Sequence, residues 1–186
     1  MILPIYTYGQ PVLRQETKEI DANYPELKAL IENMFETLAY SEGVGLAAPQ
    51  IGLPIRLFIV DLTALAEEQP EYANFKRAYI NPNIYEESKE ECCISEGCLS
   101  VPGISESIQR PEKVRISYVD QDFIAHDEEV DDFLARVVQH EYDHLEGLMF
   151  IDHVKGLRKQ MIKKKLANIL KGKIHASYKT KSVRIK

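Results

Sequence analysis

Apolar residues recur at helical spacing from Leu27 onward, with Leu30, Ile31, Met34 and Leu38 at i+3, i+4, i+7 and i+11. Asn23-Tyr24-Pro25 before them and Gly43 after them read as the start and stop of one helix. Residues 43–52 are too rich in glycine and small side chains for a regular element and read as a loop. The run Arg56-Leu57-Phe58-Ile59-Val60-Asp61-Leu62 then predicts a buried strand. Residues 64–77 carry no period and read as an irregular excursion. Residues 78–84 read as a strand interrupted at Asn81-Pro82. Strict alternation of Val114, Ile116 and Tyr118 with Arg115 and Ser117 predicts a strand over 113–120. Asp120-Gln121-Asp122 then turns the chain back through 123–128.

The period returns to helical after Asp131 or Asp132, either of which can serve as N-cap, and holds over 133–146 until Gly147 closes it. A last amphipathic helix is predicted over roughly 156–171, with Met161, Ile162, Leu166, Ile169 and Leu170 on one side and lysines on the other. Helices and hairpin-forming strands fall in separate blocks, with no regular βαβ alternation, no repeat and no linker. The expected class is therefore α+β, with antiparallel or mixed sheets around a central helix and a C-terminal helix. At 186 residues and 45% hydrophobic composition, one domain can bury a full core. Residues 1–155 form its body, and 156–186 are a basic helix and tail, either part of the same domain or an appendage.

Charge changes the picture at that boundary. Residues 1–152 hold all 29 acidic residues and 11 Lys/Arg, whereas 153–186 hold 12 Lys/Arg and no acid, so the two parts carry −18 and +12. A basic tail of this kind either meets a polyanion such as ribosomal RNA or folds back on the acidic body as a solvated helix face. The first residues carry neither the charge nor the apolar run of a targeting peptide, and no stretch reaches membrane-spanning length, so a cytosolic protein without membrane contact is expected.

The chemistry concentrates in His140-Glu141-Tyr142-Asp143-His144. A spacing of four residues puts both imidazoles on one helix face, where they can grip one metal ion with Glu141 beside them as proton acceptor. Phe133 and Val137 continue that face as apolar positions, which argues against two solvated surface histidines. A third ligand is needed. The residue six positions after His144 is Phe150, His153 comes three residues too late for the endopeptidase pattern, and no acid follows Asp152. Upstream, Glu96-Gly97-Cys98-Leu99-Ser100 offers Cys98 in a turn, giving a Cys-His-His set with one open position. Cys92 and Cys93 read as inert thiols unless they join a closed structural zinc site.

Three motifs together, Gly43 to Gln50, Glu96 to Ser100, and Gln139-His140-Glu141-Tyr142-Asp143-His144, occur in the order found in peptide deformylases, which this sequence resembles from residue 9 to about 150. Gly9-Gln10-Pro11-Val12-Leu13-Arg14 is a weaker match. Pro49 is a mild variant, and residues 63–93 and the basic tail lie outside the motifs. The resemblance implies removal of the formyl group from N-formylmethionyl peptides of bacterial nascent chains, with release of formate. It implies a divalent metal on Cys98, His140 and His144, natively ferrous iron, with nickel or cobalt as active substitutes and zinc usually less active. Glu141 would act as general base and acid. Gln50, on its own a plain polar loop residue, would stabilise the oxyanion together with the Leu99 backbone N–H. Gly45 would admit the substrate backbone, and Val44, Leu99 and Val137 would line a methionine pocket. Arg110 would either anchor the substrate peptide or be an ordinary surface arginine. Glu96 or Asp143 would orient a ligand imidazole.

Overall fold

In the computed structural model, which describes residues 1–183, the chain forms three α-helices and nine strands among those residues. Strand β1 is Ile5–Tyr6 and helix α1 is Leu27–Tyr40; β2, Gly45–Ala47, β3, Leu57–Asp61, and β4, Lys76–Glu87, come next. Strands β5, Glu91–Gly97, and β6, Ser105–Pro111, precede β7, Val114–Val119, and β8, Ala125–Val130. Helices α2, Asp132–Leu145, and α3, Gly156–Leu170, lead to β9, Thr180–Lys181.

The central sheet has the order β2-β3-β4-β7-β8 and is antiparallel throughout. Its strand β3 is apolar on both faces because both are covered. Leu57 and Ile59 pack with Ile31, Met34 and Leu38 of α1, while Phe58 and Val60 pack with Val137, Val138 and Leu145 of α2. The sheet is thus sandwiched between two helices, and α2 is the central one. β5 and β6 form a separate antiparallel hairpin, and β1 pairs with β9 in parallel. A third apolar cluster joins Leu13, Val101, Ile108 and Phe150 to Ile162 and Ile169 of α3. The expected α+β class, with sheets around a metal-coordinating helix and a C-terminal helix, is the class observed.

Several local expectations are corrected. α1 starts at Leu27 rather than at Asn23-Tyr24-Pro25, because the Asp21 carboxylate accepts the Asn23 N–H at 2.8 Å and makes a turn there, and Glu26 enters the helix at φ 55°. At its other end Glu42, not Gly43, takes the left-handed conformation (φ 55°) while the Gly43 N–H returns to the Leu38 carbonyl at 3.2 Å. Part of the expected 43–52 loop is strand β2, which pairs with β3 at the sheet edge. The interruption at Asn81-Pro82 is a bulge inside β4: Asn81 sits at φ 49°, and its side-chain amide bonds both backbone groups of Ile20. The β5–β6 hairpin was not legible as strands, because three of its inward positions are Glu96, Glu106 and Arg110, all buried. On α3, Ile162 and Ile169 are buried, but Met161 is exposed beside Leu157, one turn away on the outer face.

Candidate metal centre and substrate cavity

Helix α2 projects His140 and His144 toward the turn after β5, where Cys98 stands. The Cys98 Sγ lies 3.3 Å from His144 Nε2, and one donor atom from each of Cys98, His140 and His144 falls within 4.8 Å of the others. The turn is held by the Val101 N–H on the Cys98 carbonyl at 2.9 Å. His144 is fully buried and His140 nearly so.

Behind His140 stands a buried ionic network. The Glu96 carboxylate receives Arg110 Nε at 2.7 Å and Nη2 at 3.0 Å, Arg136 Nη1 at 2.7 Å, and His140 Nδ1 at 2.8 Å. With Nδ1 committed to Glu96, the His140 Nε2 is the ring atom left for an ion. Burial would raise the Glu96 carboxyl, but its bonds from His140 and Arg110 win and hold it well below the usual carboxylate range. Asp143 continues the network, accepting from Arg110 Nη1 and facing His153 Nε2, both at 2.8 Å.

This network corrects one expectation. Arg110 is buried and spent on Glu96 and Asp143, and it lines a notch on the far side of α2 rather than the cavity at the histidines. Each of its three guanidinium nitrogens is already paired with a carboxylate inside the protein, so Arg110 is an internal partner of Glu96 and Asp143. Of Glu96 and Asp143, Glu96 is the one that bonds a ligand-bearing imidazole.

The donor set fits a divalent cation. Burial pushes the Cys98 thiol up, but the neighbouring His144 and His140 more than offset it and bring it down to about 5, so a thiolate is available. A thiolate with two imidazoles is a borderline-soft set suited to iron, cobalt, nickel or zinc. Beside it the Glu141 Oε2 is buried with no hydrogen-bond partner, an acceptor aimed at the same space, and burial pushes this carboxyl up to about 7.

A cavity of about 490 Å³ opens onto Cys98 and His140, with His144 buried behind them, and is lined by Val44, Gly45, Gln50, Leu99, Val137 and Glu141 among others. Gln50 is almost wholly buried. Its Oε1 accepts the Ala47 N–H at 2.8 Å, which turns Nε2 toward Ser100 Oγ (3.2 Å) and Cys98 Sγ (3.4 Å). Gly45 has a steric reason to be glycine: a Cβ there would lie 2.8 Å from Glu141 Cγ and Cδ and would overlap Oε1. Sequence reasoning missed Phe133 and Arg136 on the cavity wall, although Phe133 stands four residues before Val137 on the same helical face. It also missed His175, Ala176 and Tyr178, which close the cavity from the C-terminal segment and carry no motif.

The sequence profile of the polypeptide deformylase family matches residues 2–160. A peptide deformylase from Christiangramia forsetii is 47% identical over 96% of this chain and 95% of that protein. One from Flavobacterium johnsoniae is 47% identical over 97% and 96%. Among solved structures, that of a peptide deformylase from Legionella pneumophila superposes with a TM-score of 0.80 at 33% identity, covering 90% of this chain and 95% of that one. Arabidopsis thaliana peptide deformylase 1B gives 0.82 at 34% identity, with 91% of each chain covered.

Proposed function

The chain belongs to the polypeptide deformylase family, and on that premise we propose that it hydrolyses the N-formyl group of formyl-methionyl peptides, releasing formate and a free amino terminus in the bacterial cytosol. The observation that carries this reading is the clustering of donor atoms of Cys98, His140 and His144 within 4.8 Å of one another, beside a cavity that Cys98, His140 and Glu141 line. Ferrous iron is the proposed resident ion, with nickel, cobalt or zinc able to replace it, since the thiolate-imidazole set accepts all of them. The ion, when bound, would supply Lewis acidity, bringing a water toward neutral pKa.

The remaining work falls to the chain's own groups. Glu141 takes the proton of the attacking water and returns it to the departing amine, a role for which its unpartnered Oε2 is free. As the formyl carbon becomes tetrahedral, charge grows on its oxygen. The Gln50 Nε2 and the Leu99 N–H, which has no protein acceptor among the described residues, are the proposed donors to it. Val44, Leu99 and Val137 offer apolar walls for the methionine side chain. Gly45 borders the path of the substrate backbone.

The test is formate release from a short formyl-Met peptide by protein loaded anaerobically with iron or nickel, beside Glu141→Ala and Cys98→Ala. Turnover abolished by both substitutions supports the reading. A protein that binds metal tightly and releases no formate overturns it.

The basic segment 156–186 is proposed to contact ribosomal RNA, supported by its eleven Lys/Arg without an acid and by the exposed Lys163, Lys164 and Lys165 of α3. Residues 184–186 of that segment lie outside the described residues.

A further inference from the structure

The C-terminal segment lies beyond the stretch that matches the family profile, yet it reaches the cavity. After α3 the chain returns to β1, where the Ile5 N–H bonds the Lys179 carbonyl at 2.8 Å and the Thr7 N–H bonds the Lys181 carbonyl at 3.2 Å. This pairing fixes the preceding residues in place, so that His175, Ala176, Ser177 and Tyr178 stand on the cavity wall. Tyr178 then donates its hydroxyl to the Leu99 carbonyl at 2.8 Å, and the Tyr8 N–H takes the next carbonyl, that of Ser100, also at 2.8 Å. Both carbonyls after the Leu99 amide are therefore held from outside their own turn. No backbone group of residues 175–178 enters a backbone–backbone hydrogen bond among the described residues.

Resting on the deformylase reading, we propose that residues 175–178 form a wall of the substrate cleft that reads the peptide beyond its formyl-methionine, and that Tyr178 is a positioning residue for the Leu99 peptide. A formyl-methionine side chain is already accounted for by Val44, Leu99 and Val137, and the tail stands on the wall left over for the second and third residues of the peptide. Tyr178 acts through Leu99: its bond fixes the peptide group next to the amide proposed to face the formyl oxygen, and both side chains pack against the same apolar cluster.

The experiment compares kcat/KM for formyl-Met-Lys-Lys and formyl-Met-Glu-Glu in nickel-loaded full-length protein, in Ala176→Glu and in Ala176→Lys. A wall that reads the peptide shifts the Lys/Glu ratio up in the first variant and down in the second, each by about threefold, the scale of an exposed charge pair. In Tyr178→Phe, kcat falls about fivefold on both peptides with KM little changed, as for one hydrogen bond lost, and Tyr178→Ala falls further. Ratios unmoved in both charge variants overturn the wall, and a wild-type kcat in Tyr178→Phe overturns the positioning role. If the wild-type protein releases formate from neither peptide, the deformylase reading fails and this inference with it, whereas release with unmoved ratios removes this inference alone.

Discussion

Glu141 packs its carboxylate against the bare Cα of Gly45, with Cγ and Cδ each 2.8 Å from where a Cβ would stand. The residue expected from sequence to make room for substrate is the one that makes room for the Glu141 side chain. Strand β2 supplies that bare backbone at the edge of the sheet, and α2 supplies the carboxylate from one side. Gly45→Ala should displace Glu141 without touching Cys98, His140 or His144. We expect kcat to fall about 100-fold, the scale of an ångström-sized misplacement of a reacting group, while bound metal per chain stays at the wild-type value. Steady-state kinetics with elemental analysis checks both, and a loss of metal would show that the substitution acts on the ligands instead.

Glu96 receives three basic groups at once, and its removal should be felt in two measurements. Glu96→Gln retains the shape but frees His140 Nδ1 from a carboxylate, which should weaken metal affinity by about 10- to 100-fold in a chelator competition. Glu96→Ala also leaves Arg110 and Arg136 buried with one partner fewer and should cost about 3–5 kcal/mol of stability in denaturant unfolding. Equal stability of the two variants would mean that the arginines find other partners.

An element can be read from sequence to the extent that its buried face is apolar. α1, β7 and α2 bury apolar side chains at their own period and β3 buries an unbroken apolar run, so composition and spacing reveal them directly. The two histidines and Glu141 were legible because four-residue spacing on one helix is a local fact. Cys98 needed elimination and family likeness, since its partners lie more than forty residues away. The β5–β6 hairpin stayed hidden because its inner face is ionic. Glu96 pairs with Arg110 and Arg136 across hairpin and helix, and nothing local marks a buried charge whose partner is distant. For the same reason Arg110 looked like a surface residue or substrate anchor. The tail wall was invisible because Tyr178 has meaning only through Leu99.

Gln50 offers a test of charge development. Its Oε1 is held by the Ala47 N–H, so Nε2 is presented rather than free to rotate. Gln50→Ala should reduce kcat by about 100- to 1000-fold with a small change in KM, because the donor's contribution is made in the transition state. Rescue in Gln50→Asn would argue against so strict a geometry, and a change confined to KM would assign Gln50 to substrate binding.

Whether α3 is part of the body can be decided by stability. Ile169 is 2% exposed, within the cluster that includes Leu13, Val101 and Phe150. Ile169→Ala should cost about 2–5 kcal/mol of global stability, read as a shift of the urea midpoint at unchanged slope. A separate appendage would unfold alone, leaving the main transition where it was.

The same helix presents its other face to solvent. Lys163, Lys164 and Lys165 are exposed, and Leu157 and Met161 are uncovered beside them. Arg158 is engaged with Glu106 and Lys165 reaches the Gly103 carbonyl at 3.4 Å, which ties part of the basic surface to the body. Replacing the three lysines by glutamate should preserve deformylation of a short peptide, since none of them lines the cavity, while ribosome co-sedimentation is lost at moderate salt. In the unaltered protein that co-sedimentation should weaken steeply as salt rises, because each phosphate contact releases counterions. Binding that persists in the triple variant with the same salt slope would show that the lysines are a solvated face and that contact with the ribosome, if made, lies elsewhere on the protein.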